Sequence, residues 1–184
     1  LPIFDEGVLP PLWHWLYFHD PVRQSDLGKE GHEKLGLFLP PVPYSHRMWA
    51  GSQITFFSPL LLGEKAQRCS TIKSVEFKQG SKGPLCFVQI EHCYTQGGRT
   101  KLSEIQTVVY HDGSVNKKIE KQQPSDFSGL SAANKLKIDA VFLFRYSALT
   151  FNAHRIHYDR GYTREVEGYP GLIVHGPLLA TLLM

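Results

Sequence analysis

Long apolar runs are the first thing this 184-residue sequence lacks. Its most apolar stretches, residues 58–62 and 178–184, fall well short of the ~20 residues a helix needs to cross a bilayer, so no membrane span is expected. A strong charge of one sign is missing too. Lys and Arg number 20 against 17 Asp and Glu, a net charge of +3, and the basic residues are scattered. That pattern argues against a nucleic-acid footprint and leaves a few local cations for a phosphate-bearing small molecule. Cysteine is scarce. Cys69, Cys86 and Cys93 are an odd count with no metal-like spacing, which points to reduced thiols in a cytosol-like compartment. Cys86 and Cys93 lie an odd number of positions apart, so on one strand they face opposite ways and cannot pair. The opening LPIFDEGVLPPLW has neither a basic region nor a continuous apolar core, so no signal peptide is expected.

With 42% hydrophobic and 20% charged residues, the chain suits one large globular domain or two small ones. Pro10 and Pro11 introduce the aromatic segment Leu12-Trp13-His14-Trp15-Leu16-Tyr17-Phe18, expected to form one or two helical turns with Trp13 and Tyr17 on one face. Such a cluster is a core plug or the wall of an apolar acyl pocket. Residues 21–47, rich in Gly and Pro, read as a long irregular loop of the kind that covers a substrate. Strands are expected over 52–57, 68–77, 85–94 and 100–111, separated by turn signals around Gly63, Gly80–Gly83 and Gly97–Gly98. Together they read as an antiparallel meander. Along 85–94 the alternation puts Val88, Ile90, His92 and Tyr94 on one face. Residues 112–135, with the Lys117–Lys121 charge run, hold too few apolar residues for burial and read as a linker, with a boundary near residue 125. Residues 141–146 then read as a short buried segment.

Polar groups crowd together from Phe144 onward. His154 and His157 stand three apart beside Asn152, Arg155 and Asp159. Two imidazoles and a carboxylate suit zinc or iron, but no fourth ligand follows at a recognisable spacing. Alternatively His157 is a general base, which its near-neutral pKa suits, with Asn152 orienting water or substrate. The plainest reading is two ordinary loop histidines. The run Gly168-Tyr169-Pro170-Gly171-Leu172-Ile173-Val174-His175-Gly176-Pro177 favours the base, because it leads into an apolar helix from about Ile173 or Gly176 whose free amides, above all that of Gly176, suit a developing oxyanion. A base and an oxyanion-binding helix start on separate segments are what addition of water to an α,β-unsaturated thioester requires.

At these residues the sequence resembles the MaoC-like hydratases and dehydratases of the hot-dog fold. Their signature, Asp-x-Asn-Pro-Ile/Leu-His-x-Asp followed by Val/Ala-His-Gly, aligns with Asn152-Ala153-His154-Arg155-Ile156-His157-Tyr158-Asp159 and Val174-His175-Gly176. The family's catalytic His falls on His157 and its oxyanion glycine on Gly176, while its catalytic Asp falls on Asn152 and its Asn on His154. An amide cannot serve as a Brønsted base, so His157 carries proton transfer in this reading and Asn152 positions water. Residues 144–159, Pro10-Pro11-Leu12-Trp13-His14-Trp15-Leu16-Tyr17-Phe18, Leu39-Pro40-Pro41-Val42-Pro43 and Arg47-Met48-Trp49-Ala50-Gly51 further resemble one branch, that of the itaconyl-CoA or mesaconyl-CoA hydratases and type 2 3-hydroxyacyl-thioester dehydratases.

The resemblance implies an α+β double hot dog: residues 1–125 as an N-terminal half without the catalytic motif, and 126–184 as the start of the catalytic half. That second hot dog is incomplete in this sequence, so a longer protein or a second polypeptide is expected to supply its sheet. A helix carrying Leu178, Leu179, Leu182 and Leu183 with no sheet to lie in invites association, as a homo-oligomer or with that second chain. The resemblance also implies a hydro-lyase acting on itaconyl- or mesaconyl-CoA, with no cofactor beyond the thioester substrate, in the cytoplasm or, in a eukaryote, the mitochondrion. The alternatives are a 3-hydroxyacyl-acyl carrier protein dehydratase of fatty acid synthesis and a non-catalytic acyl-thioester binding module. Tyr146, Ser147, His154 and His175 are expected to line the substrate site. Arg145 or Arg155 offers a fork for the distal carboxylate of a C5 acyl group.

Overall fold

The computed structural model describes residues 5–81, 83–113 and 136–184. Its framework is one four-stranded antiparallel sheet: β1 (His46–Phe56), β2 (Ala66–Gly80), β3 (Gly83–Gln96) and β4 (Arg99–His111), in the order β1-β4-β3-β2. The expected strands are all present, and β1 starts six residues earlier than its alternation suggested. The expected meander holds for β2-β3-β4 only. β1 pairs with β4, from His46 opposite His111 to Phe56 opposite Leu102, because the segment after it does not turn back. Ser58-Pro59-Leu60 instead carries Leu60 into a core cluster with Tyr94 and Leu102, and Pro59 has no amide to donate to a strand ladder.

Alternation on β3 is as anticipated. Cys86, Val88, Ile90 and Tyr94 are all 3% exposed or less, and with Val42 and Tyr110 three of them form the main cluster on that face. Cys86 is buried while Cys93 on the other face is not. The sheet therefore offers one packed surface, and the chain before β1 lies over it. Trp13–Leu16 forms a single 3-10 turn. It buries His14 and leaves Trp13 and Tyr17 substantially exposed, so the histidine is the plug.

The loop of residues 21–45 holds one 3-10 turn, Gln24–Asp26, and packs against the motif segment. Glu30 O accepts from Arg155 N at 2.9 Å, and the His32 ring lies 4.6 Å from that of His154. Gly31 has φ +97°, and a Cβ there would come within 1.9 Å of Ala153 O, so only glycine allows this approach.

The linker reading of 112–135 and the boundary near 125 fall almost wholly outside the described residues. Beyond them come α1 (Ala140–Leu149), α2 (Arg160–Glu165) and α3 (Gly176–Leu183). The 141–146 stretch is thus helical and not wholly buried: Leu143 and Tyr146 face inward while Val141 and Phe144 are exposed, as a 3.6-residue period requires. Asp139 caps α1, accepting from Phe142 N at 3.0 Å, and Asp159 caps α2, accepting from Tyr162 N at 3.0 Å; each satisfies an amide with no intrahelical acceptor. Leu143, Tyr146 and Leu178 cluster where α1 meets α3. Leu178 is therefore covered, contrary to expectation, while Leu179, Leu182 and Leu183 are exposed. Among the described residues no helix is long and apolar enough to cross a membrane.

Candidate active site

His157 lies in a 3-10 turn, Arg155–His157, and is 7% exposed. Its Nδ1 is 2.7 Å from Ile173 O. A carbonyl only accepts, so Nδ1 carries the proton and Nε2 is left as the basic nitrogen. Burial lowers the pKa of this ring, which keeps it neutral and able to take a proton near pH 7.

Behind it stands His175, its ring stacked on that of His157 at 3.7 Å. His175 Nε2 pairs with Ser147 Oγ at 2.8 Å, and burial, followed by the neighbouring His157, drives its pKa to about 3. His154 meets His157 edge-on at 5.7 Å. Burial, then the charges of His157 and Arg47, pushes its pKa to about 3 as well. Three neutral imidazoles thus share a nearly dry site.

These groups face a cavity of ≈ 430 Å³ lined by Asn152, His154, His157 and Gly176 from the motif segments and by Arg47, Trp49, Ile90 and Gln106 from the sheet. Asn152 Oδ1 accepts from His154 N at 3.1 Å, so what the amide presents to the cavity is its donor NH2. Gly176 opens α3 with Pro177 beside it, where the first amides have no intrahelical acceptor. Trp49 occupies the space beside it, and a Cβ on Gly176 would lie 2.3 Å from Trp49 Cε3. Glycine is therefore required for the sheet and the helix start to meet.

A larger cavity of ≈ 660 Å³ abuts the first, sharing His32, Leu39, Ile90, Gln106 and Asn152. Trp15, Tyr17 and Phe18 form part of its wall. Its floor is polar: Ser70 Oγ to His92 Nδ1 at 2.8 Å, and His92 Nε2 to Gln106 Oε1 at 3.2 Å. Glu104, 1% exposed, accepts from Ser52 Oγ at 2.5 Å and Trp15 Nε1 at 3.0 Å and pairs with His14 Nε2 at 3.3 Å. Burial alone would raise its pKa, but those three partners together hold the carboxylate below the usual range.

The structure thus brings together His157, Asn152, Gly176, His154 and, behind them, His175 and Ser147. Tyr146 packs edge-on to His175 at 4.9 Å and does not line the cavity. The two candidate arginines lie elsewhere. Arg145 is on the exposed face of α1. Arg155 donates to Asp159 Oδ2 at 3.0 and 2.7 Å and to Lys29 O at 3.1 Å, stacked over Tyr162. Asp159 is accordingly occupied as a cap and an ion-pair partner. Among the described residues no group of three His, Cys, Asp or Glu is placed to hold a metal ion. Sequence reasoning missed Arg47 and Trp49 as cavity-lining residues; their signal was alternation on β1, which puts both on one face of the sheet.

The sequence profile of the hydroxyacyl-thioester dehydratase type 2 family matches residues 12–184. A curated relative, the mesaconyl-C(4)-CoA hydratase of Chloroflexus aurantiacus, is 45% identical over 181 residues, covering 97% of this chain and 64% of the relative. The mitochondrial hydroxyacyl-thioester dehydratase type 2 of Schizosaccharomyces pombe is 28% identical over 202 residues, covering 96% and 66%. The chain thus spans somewhat under two thirds of the length of these relatives. Among solved structures, HtdX of Mycobacterium tuberculosis superposes with a TM-score of 0.55 at 19% identity, covering 74% of this chain and 49% of that one. A MaoC-like dehydratase superposes at 0.54 and 16%, covering 76% and 53%. The sheet and its flanking helices therefore have the hot-dog fold of these structures.

Proposed function

The chain belongs to the hydroxyacyl-thioester dehydratase type 2 family, and on that premise we propose that its protein reversibly adds water to an α,β-unsaturated acyl-CoA thioester. The observation that carries this reading is the His157 ring, fixed by Ile173 O, buried and neutral, on a cavity it shares with Asn152 and the Gly176 end of α3. Water held by the Asn152 amide gives a proton to His157 Nε2 as its oxygen attacks Cβ. The electron pair of the double bond moves toward the thioester, whose enolate oxygen is stabilised by the Gly176 amide. A proton returns to Cα, so the elements of water are added across the bond, and dehydration is the reverse. The departure from a catalytic carboxylate at Asn152 leaves His157 as the group that moves the proton in both directions.

The acyl group we propose is a C5 dicarboxylic one of the mesaconyl or itaconyl type. Support comes from the 45% identical relative named for mesaconyl-C(4)-CoA. On this reading the protein works on a soluble metabolite in the cytoplasm, or in the mitochondrion of a eukaryote, and residues 1–125 are the N-terminal hot dog of a double hot dog whose catalytic half starts with 126–184. Incubation with a panel of enoyl-CoAs, followed by loss of the enoyl-thioester absorbance, tests the proposal. Turnover of mesaconyl- or itaconyl-CoA is expected, and tight binding of every thioester without absorbance loss would replace the enzyme by a binding module.

A further inference from the structure

One cationic side chain on the cavity has no ion-pair partner among the described residues. Arg47 lies on β1 opposite Tyr110 of β4 and lines the same ≈ 430 Å³ cavity as Asn152, His154 and His157. Its Nε is sealed from solvent and makes no hydrogen bond. Tyr110, across the strand pair, lies near enough to the guanidinium to favour its charge, yet Tyr110 Oη is likewise buried and completes no hydrogen bond. Other arginines near the site are committed: Arg68 pairs with Asp20 and Arg155 with Asp159. Arg47 makes no ion pair among the described residues. Burial outweighs the influence of Tyr110 and Glu30 and lowers the pKa of this guanidinium, a cost that an anion from a ligand offsets. The planar fork is also the side chain best shaped for a carboxylate.

Resting on the hydratase reading, we propose that Arg47 binds the free carboxylate of the acyl group and so selects dicarboxylic over simple acyl thioesters. Its place explains why neither Arg145 nor Arg155 is needed for that task. From β1 it faces the cavity across from the motif histidines, with Trp49, two residues on and on the same face, packed against Gly176. A thioester whose carbonyl oxygen is held at Gly176 would therefore extend its acyl end along β1 toward Arg47. The charge is already felt at the motif, where it contributes to the depressed pKa of His154.

Binding of two saturated thioesters, measured by calorimetry with the full chain, tests this without turnover. Methylsuccinyl-CoA with its free carboxylate on the β carbon and isovaleryl-CoA differ there by a carboxylate against a methyl group. The unmutated protein should prefer the former by about 30-fold or more, a typical worth for a desolvated charge pair. Arg47→Met should bring the two affinities within about threefold of each other, and Arg47→Lys should retain part of the preference because the charge stays while the fork is lost. Should the Met variant fail to fold by circular dichroism, the partial loss in the Lys variant carries the test. An undiminished preference in the variants, or no preference in the unmutated protein, overturns the assignment. An Arg47-dependent preference without turnover of mesaconyl-CoA would sink the hydration reading and leave the role of Arg47 standing.

Discussion

Two buried polar clusters sit a short distance apart on the same sheet face, and they are built on opposite terms. Around Glu104 the groups satisfy one another: Ser52, Trp15 and His14 all meet the carboxylate, and His92 is held between Ser70 and Gln106. Around His157 they do not. Among the described residues His154 makes no side-chain hydrogen bond, His175 Nδ1 is buried without a partner, and His157 spends one nitrogen on Ile173 O and leaves the other open. A buried histidine can thus be a strut or a reagent, and the difference lies in what its second nitrogen meets. A completed network stabilises and stays inert, whereas an incomplete one costs stability and keeps a group ready for a ligand.

That contrast can be broken first at Glu104. Replacing it with Ala strands His14, Trp15 and Ser52 in the core and should cost about 3–5 kcal/mol in chemical denaturation; a loss under about 1 kcal/mol would mean that the network is not holding the two layers together. An effect of comparable size, shared by His92 of the Glu104 cluster, whose pKa burial also lowers, separates the buried histidines from Glu104 by pH. His154 and His175 have folded pKa values near 3 against an unfolded value of about 6.5. Their depressed values mean that stability is fully present above about pH 6.5 and is lost as pH falls toward 3, because the unfolded chain binds protons that the folded one does not. The expected slope is about 1 kcal/mol per histidine per pH unit in that window. Glu104, also depressed, keeps its contribution until the pH drops below the ordinary carboxylate range. Denaturation at pH 7, 6 and 5 should therefore show the histidine loss alone, and a flat profile over that span would place charged imidazoles in the site. The smallest change is expected for Ser147→Ala, which removes the partner of His175 Nε2 and should cost about 1–2 kcal/mol. No measurable loss would show that Ser147 does not hold His175 in place.

How much of this was legible in advance follows the range of the interaction. Strand alternation along β3, the glycine turns and the Gly176-Pro177 helix start are local, and the sequence displayed each of them. The pairing of β1 with β4 was not visible, because it joins residues some 50 positions apart and depends on Leu60 being drawn into the core. The arginines show the same limit. Arg155 and Asp159 stand at i, i+4, a spacing that already hinted at a mutual ion pair, yet the carboxylate fork was looked for at Arg155. Arg47 belongs to the cavity through a contact between segments about a hundred residues apart, which no local pattern encodes. Asn152 was legible as an amide where the family has a carboxylate. That its oxygen is taken by His154 N, leaving a donor toward the cavity, needed the fold.

The central claim is that His157 Nε2 is the base. Hydration of mesaconyl-CoA by the His157→Ala protein, alongside the unmutated protein at pH 7.5 and with thermal unfolding recorded for both, addresses it directly. The account predicts a fall in kcat of about 10³-fold, within the range for loss of a general base, in a protein that still unfolds cooperatively. A fall of less than about tenfold would contradict it and move the proton-transfer role to another group.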